Sequence, residues 1–112
     1  MAHNAMKAHG RAVQMLRAYG KQKLMIGYAP TSSVCYPETD HPEDIEAARK
    51  AYFSLQEDDS NWTWNVSWWS DPVLLGHYPE EGLVRYEKYL PKITEEDMRL
   101  ISEPIDIYGQ NI

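Results

Sequence analysis

The sequence predicts an α/β fold in which two parallel strands are separated by several helices. Residues Leu24–Ala29 are apolar without alternation, which is typical of a parallel strand covered on both faces. A second strand is predicted over Ile105–Gly109, close to the other end of the chain. Helix-forming segments lie before the first run and between the two, and strands separated by helices indicate parallel βα units.

The first helix is predicted over Ala2–Tyr19, where alanine and long unbranched side chains favour a helix. Gly20 is a suitable C-terminal cap for it. The apolar stripe that we expect to face the core consists of Ala2, Ala5, Met6, Val13 and Leu16. Pro30 ends the strand that follows.

A second helix is predicted from Pro42 to about Leu55. Asp40 is the expected N-cap, Pro42 suits the first turn, and Glu43 follows the cap by three residues. The side chains that we expect to point inward are Ile45, Ala48, Tyr52 and Leu55.

Three further helical segments are predicted in the second half of the chain. Asp71 followed by Pro72 is typical of a cap with proline at the first helical position, here opening a short turn. Another helix is predicted over Pro79–Leu90. The segment Thr94–Asp97 resembles a capping box with the shorter acid, which predicts a helix that ends at about Ser102.

Two parallel strands do not form a complete sheet, since such a sheet needs helices on both faces and further strands at its edges. The sequence also ends where its last predicted strand ends, and in α/β folds this is where ligand-handling residues begin. We therefore interpret both ends as cuts through a larger barrel. We expect copies of the chain alone to self-associate, because the uncovered strands and aromatic side chains would otherwise meet water.

The composition excludes some classes of partner. The chain has 17 acidic and 11 basic side chains and a formal charge of −6. Nucleic acids and anionic membranes need a basic patch, so neither is expected to bind. A single cysteine excludes an internal disulfide and fits a cytoplasmic location. No apolar run reaches the roughly 18–20 residues of a membrane-spanning helix.

Several segments occur in an order and spacing that point to a known family. They are AHGRAVQ at 8–14, IGYAP at 26–30, WWSDPVLLGHYP at 68–79, YLP at 89–91, ITEED at 93–97 and YGQNI at 108–112. Together they resemble the middle of a β-glucosidase of glycoside hydrolase family 1, and the resemblance covers essentially the whole chain. The combination of the Asp-Pro turn, the Gly-x-Tyr-Pro after it and the later Gly-x-Asn strand end is its most specific part.

The resemblance implies a (β/α)8 TIM barrel, of which this chain would be a fragment from about helix 4 to strand 6. It also implies retaining hydrolysis of terminal β-D-glucosides or oligosaccharides, with the sugar phosphorylated or not, and no cofactor. Family members use one glutamate as acid/base in Thr-x-Asn-Glu-Pro and another as nucleophile in Thr-Glu-Asn-Gly, and retention needs the two carboxyls roughly 5–5.5 Å apart. Neither motif occurs in the sequence, so we expect both catalytic residues outside it and no activity from the isolated chain.

One substrate-binding residue of the family carries over by position. Asn111 matches the asparagine at the end of the sixth strand, although it is also compatible with a simple polar strand end. The family tyrosine expected two places later would fall just past Ile112. The family often has Arg-Trp-Phe before the Asp-Pro turn, and Ser67 stands here in place of that arginine.

All four tryptophans lie between Trp62 and Trp69. Aromatic rings stack on the apolar face of a pyranose, and they also fill gaps between helices and sheet. Packing is the favoured interpretation for Trp68 and Trp69, with Trp69 kept as a candidate sugar contact. For Trp62 and Trp64, sugar contact and packing are equally supported. The expected substrate-binding residues are therefore Asn111, Trp62, Trp64 and Trp69.

No metal site and no catalytic thiol are expected. The four histidines lack the spacing of a metal-binding pair, and Cys35 has no recognisable base nearby. The acidic runs Glu80–Glu81 and Glu95–Asp97 lie in predicted first helical turns, where they suit the helix dipole. Two other functions stay open: a non-catalytic carbohydrate-binding module, and a self-associating folding unit without a native function.

Overall fold

A computed structural model describes residues 1–55 and 64–112. Its elements, in chain order, are α1 (Ala2–Tyr19), β1 (Gly27–Tyr28), α2 (Pro42–Phe53), α3 (Val66–Leu74), α4 (Glu80–Arg85), a 3-10 helix (Glu87–Tyr89), α5 (Glu95–Ile101) and β2 (Ile107–Tyr108). The predicted α/β character and the order of the elements are confirmed. No helix in the described ranges is both long enough and apolar enough to cross a membrane.

The two strands are parallel, as predicted, with Gly27 opposite Ile107 and Tyr28 opposite Tyr108. They are shorter than the apolar runs that predicted them. The backbone N–H of Ile26 donates to the side chain of Asp106 at 2.8 Å, not to a strand carbonyl. At the other end of β1, proline has no N–H to contribute to a ladder.

The strand pair is packed on one face and open on the other. From Ile26 onward, burial alternates: Ile26 and Pro30 are buried and Tyr28 is half-buried, whereas Gly27 and Ala29 are exposed. Successive side chains of a strand point to opposite faces, so the described helices cover only the face with Tyr28. This agrees with the expectation that two strands alone do not form a complete sheet, whereas the burial of β1 on both faces, which its apolar sequence is typical of, is not reached within the described residues.

Helix α1 packs along α5 at very short range. The buried residues of α1 are His3, Met6, Gly10 and Val13, spaced by three and four residues as on one helical face. A Cβ atom on Gly10 would overlap the backbone carbonyl of Leu100, so only glycine permits this approach. The predicted stripe is right for Met6 and Val13 but wrong for Ala5 and Leu16, which are exposed because the buried face is rotated from it.

Two apolar clusters hold the helices together. One consists of Leu55, Trp68, Tyr78 and Tyr86, and the other of Met6, Val73 and Ile101. Trp69 is half-buried and packs against both clusters. Helix α3 carries Trp68, Trp69 and Val73, and it therefore joins the two halves of the core.

Helix α2 differs from its prediction at the cap and in burial. His41 is the N-cap, and the helix has no buried residue. Ile45, predicted to point inward, is 48% exposed. The reason is that the contact to the core lies beyond the end of the helix, where Leu55 is buried in the first cluster.

Helix α3 begins before the predicted Asp71–Pro72 start. Asn65 is the N-cap, and its side-chain oxygen accepts a hydrogen bond from the N–H of Trp68 at 2.8 Å. Pro72 therefore lies inside the helix, fully buried. The prediction of Asp71 as a cap is wrong because Asn65, six residues upstream, already caps the helix by accepting from the N–H of Trp68.

The later helices follow their local sequence closely. Thr94 and Asp97 form the predicted capping box, each side chain accepting from the other's backbone N–H. The helix predicted over Pro79–Leu90 divides into α4 and the 3-10 helix. Gly82 of α4 lies so close to Trp68 that a Cβ atom would approach its ring to 2.7 Å.

Candidate substrate-binding edge

The carboxyl ends of both strands meet at one edge of the strand pair. Beyond the regular ladder, Thr31 and Asn111 form an isolated parallel bridge. The N–H of Asn111 donates to Pro30 O at 3.0 Å, and the N–H of Ser32 donates to Asn111 O at 3.1 Å. The backbone of Asn111 is thus fixed on both sides.

The side chain of Asn111 belongs to the open face. Positions two apart share a face, so Asn111 lies with Gly109 and Ile107, away from the helices. Asn111 is exposed, and its carboxamide makes no hydrogen bond to the described part of the chain. A polar group at the carboxyl edge of parallel strands with free donor and acceptor capacity is what a sugar hydroxyl needs.

The residue before Asn111 is held on the opposite, helix-facing side. The hydroxyl of Tyr52 on α2 donates to Gln110 Oε1 at 2.7 Å. The Gln110 amide nitrogen donates in turn to the hydroxyl of Ser32, a side chain that is buried. Gln110 therefore connects α2, the segment after β1 and the end of β2.

Trp64 lies near this edge and is mainly exposed. Its relative exposure is 55%, and its carbonyl accepts from the N–H of Ser33 at 3.3 Å. It borders a cavity of about 60 Å³ that is also lined by Cys35 and Tyr52. Ligand pockets commonly have volumes of roughly 300–1,000 Å³, so this cavity does not hold a sugar ring by itself.

The other tryptophans have different surroundings. Trp68 is 3% exposed and lies in the first apolar cluster, which confirms the predicted packing role. Trp69 packs between the two clusters on the helix-facing side, and its carbonyl accepts from the Tyr28 hydroxyl at 3.2 Å. Trp62 lies outside the described residues. The structure thus brings Asn111 and Trp64 to the carboxyl edge of the strands and places Trp69 among the helices.

A separate polar cluster joins α1 to α5 and serves a structural role. Lys7 Nζ forms an ion pair with Asp97, and His3 Nε2 lies 3.5 Å from the same carboxylate. The hydrogen bonds that Asp97 accepts from Lys7 and Thr94 hold its pKa well below the usual range. His3 Nδ1 lies 3.1 Å from the hydroxyl of Tyr78. This cluster is remote from the strand ends and fixes a helix cap.

The tyrosines behind the strands are also structural. Burial, with a smaller contribution from Tyr108, raises the pKa of Tyr28 to about 12, so its hydroxyl stays protonated at neutral pH. The Tyr108 hydroxyl lies 2.7 Å from Ser70 Oγ on α3. Both hydroxyls join β-strand residues to α3.

The acidic runs do not form a catalytic pair at the strand edge. Glu81 accepts from the N–H of Leu55 at 2.6 Å, and Asp97 belongs to the capping box. Glu80, Glu95 and Glu96 are exposed in first helical turns. Within residues 1–55 and 64–112, no group of three or more His, Cys, Asp or Glu side chains is placed to hold a metal ion.

Sequence reasoning missed Gln110, Tyr52 and Ser32 as parts of the edge. Tyr52 was expected in the core, and Gln110 was only part of a motif. Their contacts cross 58 and 78 residues of sequence, and no local pattern reports such pairs. Alternation along the strand is the one available clue, since it places Gln110 on the face opposite to Asn111.

Comparison with known proteins identifies the family. The Glycosyl hydrolase family 1 profile matches residues 1–112. Beta-glucosidase A of Acetivibrio thermocellus is 38% identical over 99% of this chain, which spans 23% of that protein. The chain therefore belongs to glycosyl hydrolase family 1, and it spans less than a quarter of the length of this curated relative.

Solved structures agree with this assignment. The family 1 β-glucosidase of Thermotoga maritima superposes with a TM-score of 0.67 and 31% identity, over 97% of this chain and 22% of that one. A second structure of the T. maritima enzyme, in complex with glucoimidazole, gives a TM-score of 0.66 at 31% identity, over 96% and 22%. The two parallel strands and their helices thus correspond to part of a TIM-barrel β-glucosidase.

Proposed function

We propose that these residues form part of a retaining β-glucosidase that hydrolyses terminal β-D-glucosides, with both catalytic glutamates outside the sequence. The observation that carries the proposal is the exposed carboxamide of Asn111, which has no hydrogen-bond partner among the described residues, on the open face at the carboxyl edge of two parallel strands. In (β/α)8 barrels the active site lies at this edge of the strands. Family membership supplies the reaction class.

Within the barrel, we assign the chain to the region from about helix 4 to strand 6. The order α1, β1, several helices and β2 supports this assignment, with β1 as strand 5 and β2 as strand 6. The open face with Gly27 and Ile107 then faces the barrel interior, and α1, α3 and α5 belong to the outer layer. Interior positions of such barrels are filled by side chains from several strands, so the missing strands would cover this face.

The proposed roles of the chain's residues are binding and positioning. Asn111 donates and accepts hydrogen bonds at a sugar hydroxyl or at the nucleophile. Trp64 offers an exposed ring for stacking at the rim of the site. The sugar contact expected of Trp62 from the sequence is kept as part of the proposal. Trp69 packs between the two apolar clusters and would need to reach the sugar from there. The binding of glucoimidazole by the T. maritima relative supports a glucose-shaped ligand here.

The decisive experiment supplies the missing catalytic residues. Residues 1–112 replace the matching segment of the A. thermocellus β-glucosidase A, and hydrolysis of p-nitrophenyl β-D-glucoside is measured. We expect turnover by the folded graft, loss of turnover when a host catalytic glutamate is changed to glutamine, and none from the 112-residue chain alone. A folded but inactive graft would contradict the proposal. Turnover by the chain alone that depends on one of its own glutamates would contradict the placement of the carboxylates.

We also propose that the chain by itself self-associates through its open face. Met25, Ile107 and Ile112 are exposed there or near its edges, at 67%, 47% and 79%. Sedimentation equilibrium should show species heavier than the monomer, and Ile107→Lys should shift them toward the monomer, because a charge in an apolar contact is costly. The matched control is Val84→Lys on α4, which should change nothing. A monomer at all concentrations would overturn this second proposal.

A further inference from the structure

We propose that Tyr52 and Gln110 are positioning residues that set the orientation of Asn111 toward the sugar. This inference rests on the proposed function. It assigns to α2 a role at the site, although that helix contributes no buried residue to the core.

A chain of hydrogen bonds connects Tyr52 to the backbone of Asn111. Tyr52 donates to Gln110 Oε1 at 2.7 Å, and the Gln110 amide donates to the Ser32 hydroxyl. The backbone N–H of Ser32 donates to the carbonyl of Asn111 at 3.1 Å. Gln110, Ser32 and Asn111 therefore form a closed ring, in which the peptide bond between Gln110 and Asn111 is the covalent link.

This ring adds a side-chain anchor to the backbone hydrogen bonds that hold the strand end beyond the regular ladder. The regular ladder of β2 ends at Tyr108. Beyond it, the N–H of Gly109 donates to Tyr28 O at 2.9 Å, and Asn111 is held by its bridge to the segment after β1. Because Gln110 and Asn111 point to opposite faces, anchoring the Gln110 amide on the helix side determines how the Asn111 side chain projects on the open side.

The network uses polar side chains at a position that an apolar side chain could also fill. The Tyr52 hydroxyl and the Gln110 amide are half-buried and satisfy each other, and Ser32 is only 3% exposed. An apolar side chain at position 110 would pack on the helix side equally well, but it would leave two hydroxyls without this partner. These hydrogen bonds therefore fix the orientation of the strand end, whereas apolar packing alone would only bury the side chain.

The chain contains a matched control for the test. The Tyr108 hydroxyl also makes a 2.7 Å hydrogen bond, to Ser70 on α3, and thus also joins β2 to a helix. Tyr52→Phe and Tyr108→Phe remove the same atom and one hydrogen bond each. Only the bond of Tyr52 leads to the residue adjacent to Asn111.

The experiment is a double-mutant cycle in the active graft described above. Tyr52→Phe should lower kcat/KM for p-nitrophenyl β-D-glucoside by about 3- to 10-fold, mainly through kcat, the scale of one hydrogen bond. In an Asn111→Ala background the same change should alter kcat/KM by less than about 2-fold, because the residue that it positions is absent. Tyr108→Phe should stay within about 2-fold of the unchanged graft in both backgrounds.

The outcomes separate this inference from the proposed function. Equal losses from Tyr52→Phe in the two backgrounds, or an equal loss from Tyr108→Phe, would overturn the positioning role while leaving the proposed function intact. An inactive but folded unsubstituted graft would overturn both. If Tyr52→Phe lowers the melting temperature too far, Gln110→Leu replaces it in the cycle with the same expectation.

Discussion

The two faces of the strand pair differ in how their residues are held. On the helix side, Tyr28, Tyr108 and Gln110 each make a side-chain hydrogen bond to a neighbouring element. On the open side, Gly27 and Ile107 are exposed, and the Asn111 carboxamide makes no hydrogen bond to residues 1–55 or 64–112. The helix side therefore stabilises this chain, whereas the open side is where the proposed function places further strands and the sugar.

Substituting one glycine in the helix packing and one on the open face should give a large difference in the free energy of unfolding. Gly10→Ala places a Cβ against the backbone carbonyl of Leu100, which cannot move without shifting α5. We expect a loss of about 1–3 kcal/mol in the free energy of unfolding, even after the gain of about 1 kcal/mol in helix propensity. Gly27→Ala meets Ile107 at an ordinary 3.5 Å and should stay within about 0.5 kcal/mol.

Urea unfolding of both variants provides the measurement. A Gly10→Ala protein as stable as the parent would show that α1 and α5 do not pack as closely as described. A large loss from Gly27→Ala would show that the open face is already filled in the chain by itself.

Removal of the free carboxamide should affect activity and leave stability unchanged. In the active graft, Asn111→Ala should lower kcat/KM by the equivalent of about 1–3 kcal/mol, because a hydrogen bond made in the transition state is lost. The melting temperature should not change, since the described chain offers that side chain no hydrogen bond. Asn4→Ala, at an exposed position of α1, is the control. Full activity of Asn111→Ala would reduce Asn111 to a polar strand end.

Sequence reasoning succeeded where structure is determined locally. The span of α1 and the capping box of Thr94 and Asp97 depend on residues a few positions apart, and both were predicted correctly. The start of α3 was wrong because Asn65 and Asp71 both satisfy the local rules for a cap. The packing of Trp68 within the first cluster and against Gly82 of α4 favours the earlier start, and these contacts are not local.

The candidate site shows the same limit. Alternation along β2 would place Asn111 and Gln110 on opposite faces, yet it does not reveal that Tyr52 lies within reach of Gln110. That contact depends on the direction in which α2 leaves the strands, and the sequence of α2 predicted a buried helix instead. A sugar-binding role for Asn111, Trp64 or Trp69 remains a prediction.

Low pH should weaken the contact between α1 and α5, because that contact includes the ion pair of Lys7 with Asp97. Its pKa is lowered in the folded chain by Lys7 and Thr94, so the carboxylate stabilises the fold fully above its unfolded pKa of about 4. This contribution is lost progressively as the pH falls from about 5 toward the lowered folded pKa. Asp97→Asn should therefore be less stable than the parent at pH 7 but should lose less stability between pH 5 and pH 3, a range set by those pKa values.

Urea midpoints at pH 7, 5 and 3 test this expectation, because these pH values bracket the titration of a carboxylate. Glu96→Gln, which removes the same charge from an exposed neighbour in α5, is the control and should follow the parent curve more closely. Parallel pH curves for Asp97→Asn and the parent would show that the ion pair with Lys7 contributes nothing to stability.

The smallest effect on stability is expected from Trp64, which is exposed. Comparison with Trp69 tests the difference between the surroundings of these two tryptophans. Trp64→Ala removes a ring that is 55% exposed, so the free energy of unfolding should change little, whereas Trp69→Ala removes a ring packed between both clusters and should cost about 2–4 kcal/mol.

In the active graft, Trp64→Ala should raise KM for cellobiose by about 2- to 5-fold, the scale of one ring contact at an exposed site, with kcat unchanged. Trp64→Phe should recover most of this loss because it retains an aromatic face. If Trp64→Ala leaves KM unchanged and instead lowers the urea midpoint, the ring serves packing at the rim of the small cavity and the sugar contact at this position is refuted.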